Sequence, residues 1–565
     1  MSEIDKYMQQ WIDEEIFEFT DKEEAVLSCF FTNTNKRIYF MHSLPANIAA
    51  ALFAMFSRLK NPRGLRGLFI DAFLPEIIVG TMKDQGESGL TSSQIIQKYG
   101  ATDWQSFLEK VPGAKSAAQE FINTIGTNPE YLVAVSNVER VSGMLRRWLD
   151  AYGHNSIART AHVYLCCECI SILAVKCMEW SRPGVGYIEA STRFLRMDAK
   201  GVFPVGQLLG EYGIASSEIG DGIERAFEVY RYHLEHEQGL LYYLRQQYAY
   251  LVEDGTLTQK QFAMAVEGEV CDVLGNVLPA ATLTSVGVGV SGESLGTILQ
   301  HLSLDETPEN NAIILAIIRE AEKTGAVQFI KHWEPTLWKK EGWRYLSTKM
   351  FNPKQNIPRL ITPIDIKAME TTIATLIGMR DGWESCAGMD SVIESLLKIK
   401  RCMHDKLPNE FESVCIMVAG LMTFRTWRDI QRHGLCTHNR TAVIPELGFY
   451  QYPKPHPAQL DIDFQRIHQQ NRALFLKMQQ SEVPVRLCEY LMALGTIIGY
   501  TVGANMSQWE FMMWQRTKHG VHDEARRKML EIDMMFQEEI PWWSLFSRTD
   551  RTPQYIFART PKPIL

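Results

Sequence analysis

The sequence predicts an α/β (α+β) protein that is helix-rich, has central sheets and consists of two similar halves. Several stretches place apolar residues at the i, i+3, i+4, i+7 spacing of amphipathic helices. The segment "YIEASTRFLRM" alternates instead at period two, which puts Glu189, Ser191 and Arg193 on one face of an extended segment. A similar order of elements recurs after residue 365, and an internal duplication would explain that recurrence.

Length, composition and charge limit the possible functions. At 565 residues, with 46% hydrophobic and 10% aromatic residues, the chain can form two or three ordinary domain cores. Its net charge of −8 argues against nonspecific nucleic-acid binding. The acidic start, "MSEIDKYMQQWIDEEIFEFT", lacks the basic region and apolar core of a signal peptide, and no apolar run approaches the length of a membrane span. We therefore expect a cytoplasmic protein without a membrane segment.

In the first half, an acidic leader is followed by a series of predicted helices. The stretch "HSLPANIAAALFAMFSRLK" has helical apolar spacing and closes on basic residues. "YGHNSIARTAHVYLCCECISILAVKCMEW" predicts a longer helix that ends before the turn signal "SRPGVG". Its apolar residues follow the i, i+3, i+4, i+7, i+8 pattern: Ile170, Leu173, Ala174, Cys177 and Met178. Further helices are predicted around 222–250 and 258–275.

The second half begins after a stretch without clear periodicity. Residues 331–365 carry prolines, tryptophans and charges, which is typical of a connector between domains. Beyond it, Met417, Leu421 and Phe424 predict the apolar side of a long helix. The aromatic C-terminal stretch is typical of an arm that either docks on another surface, such as a second subunit, or packs locally. The predicted division is a leader at 1–44, domains at 45–330 and 366–540, a connector at 331–365 and an arm at 541–565.

Three arginines in "FRTWRDIQRHG" share one predicted helical stripe. Arg425, Arg428 and Arg432 fall at i, i+3 and i+7, with Asp429 and His433 beside them. Because the chain as a whole is acidic, this positive stripe is a local feature. Two interpretations of Arg425 and Arg428 stay open: they face an anionic ligand, or they pair with acidic neighbours on a packed element.

The cysteines favour reduced thiols. Eleven cysteines are spread along a long chain without the spacing of a disulfide framework. The cluster "CCEC" (Cys166, Cys167, Cys169) lacks paired C-x-x-C spacing and lies in an apolar run. Core packing is therefore favoured over a zinc site.

The motif "GVGVSG" matches a dinucleotide fingerprint only by its letters. Gly287, Gly289 and Gly292 have the G-x-G-x-x-G spacing, but the motif does not lie in a βαβ unit near a domain start. No acidic residue stands about 20 positions further on at a strand end. A tight turn before a helix is the preferred interpretation.

The segments "YGHNSIARTA" and "YIEASTRF", with "QRHG" in the second half, resemble the flavin-dependent thymidylate synthase (ThyX-type) family. Its members carry a G-H pair near the start of a long helix and an R-H-R-x(n)-E-x-S-x-R signature after it. The whole chain is similar to duplicated, roughly double-length ThyX-like proteins with one degenerate copy in each half. The resemblance covers 45–330 and 365–540, and it implies two tandem ThyX-like domains that form a pseudo-dimer.

The first copy matches the nucleotide-binding part of the signature. His154 corresponds to the G-H histidine, and the E-x-S-x-R positions are Glu189, Ser191 and Arg193. The R-H-R triplet has become "SRP" at residues 181–183.

The second copy matches the flavin-binding part. Arg432 and His433 correspond to the first two residues of R-H-R, with Gly434 in third place, and E-x-S-x-R is missing. Asn505 and Arg516 match a family asparagine and arginine that contact flavin and nucleotide, and His519 lies near a family histidine. The flavin contacts implied by the resemblance are His154, Arg432, His433, Asn505, Arg516 and His519.

The resemblance implies one composite site, in which copy one holds a pyrimidine nucleotide and copy two holds FAD. The family transfers a one-carbon unit from methylenetetrahydrofolate to C5 of dUMP, with NADPH as reductant, and a relative of dUMP also fits. The expected catalytic residues are Arg193 and Arg516, without a metal, in a homodimer that mimics the family's tetramer. A hydroxyl and a guanidinium together suit a phosphate, and Ser191 and Arg193 would supply them. The alternative is a noncatalytic flavin- or nucleotide-binding protein with an assembly or regulatory role.

Overall fold

The computed structural model confirms the α+β class with two antiparallel sheets. It describes residues 2–44, 61–82, 92–126, 162–179, 184–192, 196–324, 326–330, 333–349, 359–360, 364–380, 388–402 and 405–560, with Arg159 and isolated residues between 49 and 56. Each sheet has four strands, in the orders β1-β2-β4-β3 and β5-β6-β8-β7. The strands are β1 (Ile38–Met41), β2 (His162–Ser171), β3 (Gly186–Glu189), β4 (Leu283–Ser291), β5 (Arg359–Leu360), β6 (Cys415–Thr423), β7 (Cys436–Arg440) and β8 (Ile497–Asn505).

Helices surround the sheets and account for most of the described chain. Up to the end of the first sheet they are α1 (Glu3–Asp13), α2 (Asp21–Leu27), α3 (Gly64–Leu68), α4 (Leu74–Met82), α5 (Ser92–Lys98), α6 (Trp104–Lys110), α7 (Ala114–Gly126), α8 (Ile172–Met178), α9 (Val205–Gly210), α10 (Ser216–Glu235), α11 (Leu240–Gln247), α12 (Tyr250–Glu253) and α13 (Gln259–Leu274). After it come α14 (Gly292–Leu304), α15 (Pro308–Glu322), α16 (Leu337–Lys349), α17 (Ile366–Arg380), α18 (Met389–Leu397), α19 (Phe424–Ile430), α20 (Ala458–Gln480), α21 (Val485–Cys488), α22 (Met506–Thr517), α23 (Asp523–Glu539) and α24 (Trp543–Phe546).

Both long helices predicted around the central apolar runs are wrong over the runs themselves. Residues 162–171 and 415–423 are the central strands β2 and β6, and the residues directly after them form the short helices α8 and α19. The predicted helical residues before β2 lie outside the described residues, except Arg159. Most side chains of both strands are buried on both faces. A strand buried on both faces is a continuous apolar run, which periodicity cannot separate from a helix. Ser171 and Thr423 end the strands as N-caps, since each side-chain oxygen accepts a hydrogen bond from the third helical residue.

The glycines of "GVGVSG" do not form the predicted tight turn. Gly287 and Gly289 lie within β4, and Gly292 is the first residue of α14. A Cβ atom at Gly287 would overlap the ring of Phe53, which packs on this strand. The glycine therefore permits close packing of a helical residue on the sheet.

The two halves meet around a short antiparallel pairing that relates equivalent segments. Pro279 bridges to Ala493, the amide of Ala280 donates to Met492 O at 2.9 Å, and the amide of Leu494 donates to Leu278 O at 2.8 Å. The start of each short helix joins the same pairing, because Leu173 N donates to Ala280 O and Arg425 N donates to Leu494 O. These matching bonds make 172–179 equivalent to 424–431, and 282–291 equivalent to 496–505.

Buried apolar residues form one large cluster through both sheets and a smaller one around the N-terminal helices. Cys166 and Cys167 belong to these cores, and burial raises the pKa of both thiols. This position agrees with the core-packing interpretation of "CCEC". Among the described residues, no group of three or more His, Cys, Asp or Glu side chains could hold a metal ion.

Three further segments predicted from the sequence can be compared with the structure. The helix predicted over residues 42–60 falls mostly outside the described residues, although Leu52 and Phe53 are helical. The predicted connector contains α16 and β5, and β5 pairs with β6 of the second sheet. The C-terminal stretch packs on its own chain, since Ala558 N and Lys454 Nζ both donate to the buried carboxylate of Glu269. Of the helices that the structure describes, none has both the length and the apolar character to cross a membrane.

Candidate functional site

A polar cavity of about 200 Å³ lies between the two halves. We call it the composite cavity, because its lining comes from β3 and the residues after it, from α19, from α22 and from the residue before α23. The lining residues are Glu189, Ser191, Thr192, Arg425, Arg428, Asp429, Arg432, Arg516 and His522. Four arginines against two carboxylates give the lining an excess of positive charge.

The arginine stripe lies on this cavity, and Arg425 and Arg428 pair with carboxylates of packed elements, as the second sequence interpretation expects; an anionic ligand for them stays a prediction. The side chain of Arg428 forms an ion pair with Glu189 at 2.5 Å, and Arg425 forms one with Asp272 at 3.2 Å. Arg432 pairs with Asp429, three residues before it. Helical spacing puts Arg425 and Arg428 on the side of α19 that meets the first half, so residues distant in sequence become partners.

Glu189 lies at the centre of a buried ion-pair network. Its carboxylate accepts from Arg428 on one side and from Lys176 Nζ at 2.8 Å on the other. Burial opposes its ionisation, but Arg428 and Lys176 outweigh burial and lower the pKa of Glu189 to about 2. Lys176 also pairs with Glu179, whose pKa is raised mainly by burial. Glu189 is therefore a fixed anion whose partners are already in place.

The side chain of Arg425 passes over a glycine to reach the cavity. Its guanidinium donates to Thr192 Oγ1 at 3.1 Å and to Asp272. A Cβ atom at Gly275 would collide with this guanidinium. Gly275 is therefore required for Arg425 to connect α13 with the segment after β3.

Arg516 is positioned by His433, which belongs to the R-H-R part of the signature, and by the backbone of Asp429. Its Nε donates to His433 Nε2 at 2.8 Å, and its Nη2 donates to Asp429 O at 2.7 Å. Burial, together with Arg516 and His438, lowers the pKa of His433 well below its ordinary value. His433 is thus a neutral acceptor behind the cavity wall, and it orients Arg516 without lining the cavity.

The structure brings together four of the predicted site residues, namely Glu189, Ser191, Arg432 and Arg516. Asn505 and His519 were predicted to join them, and neither lines the cavity. Asn505 is the N-cap of α22, and eleven helical residues place it about 16 Å along the helix from Arg516. His519 is exposed beyond the helix end. His154 and Arg193 lie outside the described residues.

Sequence reasoning did not identify Thr192 and His522 as lining residues. It named Asp429 beside the arginine stripe but did not place it in a cavity wall. Thr192 lies inside the matched E-x-S-x-R segment, so the motif itself could have indicated it. His522 has no motif around it, and only its short distance in sequence from Arg516 connects it to the site.

The two halves are equivalent, so a second position corresponds to the composite cavity, and this second position is closed. There, Cys177 donates to Asp305, and Arg486 pairs with Asp305 at 3.4 Å. Arg486 and Arg440 both pair with the buried carboxylate of Glu489, at 2.6 and 2.9 Å. The equivalence puts Lys176 in the place of Arg428, Cys177 in the place of Asp429, and Arg440 in the place of Glu189. Internal ion pairs thus fill the second position.

Comparison with known proteins gives distant similarity. No family model matches the chain. It is 22% identical over 472 residues to a UPF0159 protein of Chlamydia pneumoniae, with 77% of each chain covered. A UPF0159 protein of Chlamydia muridarum is 21% identical over 471 residues, covering 76% of this chain and 77% of its own. A UPF0159 protein of Thermoplasma acidophilum is 24% identical over 349 residues, covering 55% of this chain and 69% of its own.

Among solved structures, the chain is similar to the UMP/dUMP methylase PolB from Streptomyces cacaoi bound with 5-Br dUMP. The identity is 12% and the TM-score is 0.29, over 35% of this chain and 99% of that chain.

Proposed function

We propose that the composite cavity binds a pyrimidine nucleotide, dUMP or a relative, and that the protein transfers a one-carbon unit to its C5. One observation carries the proposal. Glu189 and Ser191, which match the nucleotide side of the ThyX-type signature, line one cavity with Arg432 and Arg516, which match positions from the other side. Each half of the chain alone supplies only part of this set.

The lining suits the phosphate of a nucleotide. Guanidinium groups bind phosphate by paired, charge-assisted hydrogen bonds, and Arg432 and Arg516 are held near each other through Asp429. The hydroxyls of Ser191 and Thr192 add donors beside them. Arginines outnumber carboxylates in the lining itself, although Arg425 also pairs with Asp272 behind it, and this local excess favours an anionic ligand.

The residues of the composite cavity suit FAD less well than they suit a nucleotide. Arg432 and Arg516 suit an anionic group of FAD, whereas Asn505 and His519 lie elsewhere. Ligand pockets usually measure roughly 300–1,000 Å³, so a cavity of about 200 Å³ is small for one nucleotide and leaves no room for a flavin beside it. Dependence on FAD, methylenetetrahydrofolate and NADPH, and assembly as a homodimer, therefore rest on the motif resemblance.

The experiment titrates the purified protein with dUMP, UMP and uridine, and then assays transfer of labelled carbon from methylenetetrahydrofolate with FAD and NADPH. We expect the nucleotides to bind and the phosphate-free nucleoside to bind weakly. Arg432→Ala or Arg516→Ala should weaken nucleotide binding by about 10- to 100-fold, the effect of losing a charge-assisted hydrogen bond. Arg466→Ala is the control, because Arg466 is exposed on α20. Absence of nucleotide binding would overturn the proposal.

A noncatalytic binding protein is the second candidate, and a specific observation favours it. Arg425, Arg428 and Arg432 each already have a carboxylate partner in this structure. If the pairs of Arg425 and Arg428 only hold the halves together and the pair of Arg432 only fixes its own helix end, nucleotide binds without any transfer of carbon. The transfer assay separates the two candidates, and the visible absorbance of a bound flavin tests the cofactor separately.

A further inference from the structure

A second cavity, of about 930 Å³, lies in the first half between α14 and α16. We call it the α14–α16 cavity. Its volume falls in the range of roughly 300–1,000 Å³ that is usual for ligand pockets, and it is much larger than the composite cavity. The residues to which the resemblance assigns a flavin are not in its described lining. The proposed function therefore makes no use of this cavity.

One face of α14 forms the floor of the cavity. The lining positions on this helix have the spacing i, i+1, i+4, i+7, i+8 and i+11, which is that of a single helical face. They are Glu293, Ser294, Thr297, Gln300, His301 and Leu304. Eleven residues of α-helix span about 16 Å. The floor is thus an elongated and mostly polar strip.

Comparison with the second half explains why this face leaves room. The equivalence of 282–291 with 496–505 continues into the helices that follow directly, and it puts Phe511 in the place of Thr297 and Trp514 in the place of Gln300. In the second half these two rings are covered, because Lys406 Nζ lies 5.0 Å from the ring centre of Phe511 and Arg548 lies over Trp514. The smaller side chains of the first half leave the corresponding space open.

An exposed indole stands at the edge of the cavity. Trp338 of α16 lines the cavity and is 82% exposed. Its ring has no stacking partner among the residues that the structure describes, whereas Trp343 meets the ring of His301 edge-on at 6.0 Å. Apolar ring surface in contact with water is unfavourable, and indole rings stack on planar heterocycles. Trp338 therefore offers a stacking surface to a ligand.

A cation without a carboxylate partner lies beside this indole. Lys339 lines the cavity, and its Nζ donates to the amide oxygen of Gln300 at 2.9 Å. No carboxylate in the described part of the chain pairs with it. Arg159, the other cation of the lining, is neutralised by Glu293, which accepts from its Nε at 2.5 Å and from its Nη2 at 3.1 Å. The positive charge next to Trp338 is thus available to an anion.

We propose that the α14–α16 cavity binds a fused-ring heterocycle that carries a phosphate, with the ring on Trp338 and the phosphate at Lys339. Purine nucleotides and flavin mononucleotide share this chemistry. A single pyrimidine ring has less area to stack, so dUMP should not occupy this cavity. The inference does not depend on the proposed function, because the two cavities lie at opposite ends of β3. Gly184, just before the strand, lines this one, and Glu189, at its end, lines the composite cavity.

Calorimetric titration of the full-length protein with two matched pairs tests the site. The pairs are flavin mononucleotide with riboflavin, and AMP with adenosine. We expect at least one phosphate compound to bind, and its phosphate-free partner to bind at least about 10-fold more weakly, since a charged hydrogen bond is lost. Binding of only one phosphate compound identifies the ring, purine or flavin, that the cavity takes.

Variants of neighbouring residues on α16 place the ligand. Trp338→Ala should weaken its binding by about 5- to 100-fold, the usual effect of losing a stacked ring. Lys339→Gln should weaken it by about 10-fold, and added salt should remove this difference. Leu337→Ala and Lys340→Gln are matched controls, because these residues adjoin the other two in sequence but are not in the lining.

A third substitution fills the cavity instead of removing a contact. Thr297→Phe puts a ring where the second half has Phe511 and should abolish binding, whereas Thr297→Ala should retain it. Thermal unfolding of both variants checks that the fold is kept. This pair keeps the test valid if the variants of α16 unfold.

Several results would overturn the inference. They are absence of binding by both phosphate compounds, equal binding of the phosphate-free compounds, and unchanged binding in Trp338→Ala or Thr297→Phe. Loss of the binding in Arg516→Ala would also overturn it, because the ligand would then lie in the composite cavity. Trp338→Ala should leave dUMP binding unchanged, so a failure of dUMP to bind would concern the proposed function alone.

Discussion

Some single residues in this protein both line the composite cavity and join the two halves. Arg428 lines the composite cavity, and its guanidinium also pairs with Glu189 of the other half. The side chains of both residues are less than one-tenth exposed. Breaking such a pair leaves a charge buried without its partner, which costs much more than losing a surface ion pair. Substitutions here should therefore affect stability as well as binding.

Glu189→Gln tests this dual role. The pKa of Glu189 is lowered from 4.5 to about 2 in the folded chain, so its carboxylate stabilises the fold above about pH 4.5 and loses this effect as the pH falls toward 2. We expect Glu189→Gln to lower the free energy of unfolding by about 3 kcal/mol at neutral pH. The difference from the wild type should shrink on acidification within that window.

Denaturant unfolding at several pH values measures the effect of Glu189→Gln. Glu218→Gln is the control, because Glu218 and Lys477 form an ion pair with both side chains largely exposed. That exposed pair should contribute little to the free energy of unfolding. An equal effect of the two substitutions would contradict the assignment of Glu189 to a buried network.

At the scale of elements, the recurring unit is a buried central strand that runs directly into a short helix. In each half a hydroxyl residue caps the helix, and a carboxylate from a later helix accepts its amide and its hydroxyl. In strand β4, beside the first of these units, Gly287 leaves room for the ring of Phe53, which approaches it closely. The packing on this sheet therefore depends on a small residue at that position.

Two alanine substitutions in β4 should separate these positions. Gly287→Ala places a methyl group against the ring of Phe53 and should destabilise the protein by about 1–3 kcal/mol, as overpacking of a core does. Gly289→Ala, on the same face two residues later, meets Tyr164 only at 3.6 Å and should have a small effect. Thermal unfolding of the two variants provides the comparison, and equal stability would show that Phe53 does not pack on Gly287.

In the described part of the chain, two equivalent sheets meet, and the composite cavity lies at one of the two related positions while ion pairs fill the other. The C-terminal stretch joins distant elements, because residues 548–560 attach to α13 and α23. The attachment centres on Glu269, which accepts from Tyr452, Lys454 and Ala558. All these groups come from distant parts of the sequence.

Glu269→Gln should loosen the C-terminal stretch. It removes the charge that pairs with the buried Lys454, and we expect a loss of about 3 kcal/mol and faster tryptic cleavage at Arg548, Arg551 and Arg559. Glu267→Gln is a matched control, since Glu267 lies two residues away in an exposed pair with Arg196. Unchanged cleavage in Glu269→Gln would show that the stretch is held by other contacts.

The closed equivalent position predicts one nucleotide per chain. Calorimetric titration should give a stoichiometry of one, and Arg432→Ala should weaken all of the observed binding. Two equal sites per chain, or half of the binding left intact in Arg432→Ala, would show that the ion pairs of Arg486 open to admit ligand.

The sequence by itself determined the α+β class, many helices such as α10 and α13, and the presence of Glu189, Ser191, Arg432 and Arg516 as candidate site residues. The fold class and the helices could be predicted because helical periodicity and turn residues are local signals. The four candidate residues come from short motifs, which are also local, and their roles stay predictions. The repeated order of elements was also visible along the chain, since it needs only the succession of patterns.

The tertiary structure alone decided whether the buried runs at 162–171 and 415–423 were strands or helices, because burial on both faces removes the periodicity that separates them. It alone showed that Arg428 meets Glu189, that His522 lines the same cavity and that the equivalent position is closed. Each of these facts depends on which residues from distant parts of the chain become neighbours. Contacts across the two halves carry no local signal, so no single segment of the sequence could have determined them.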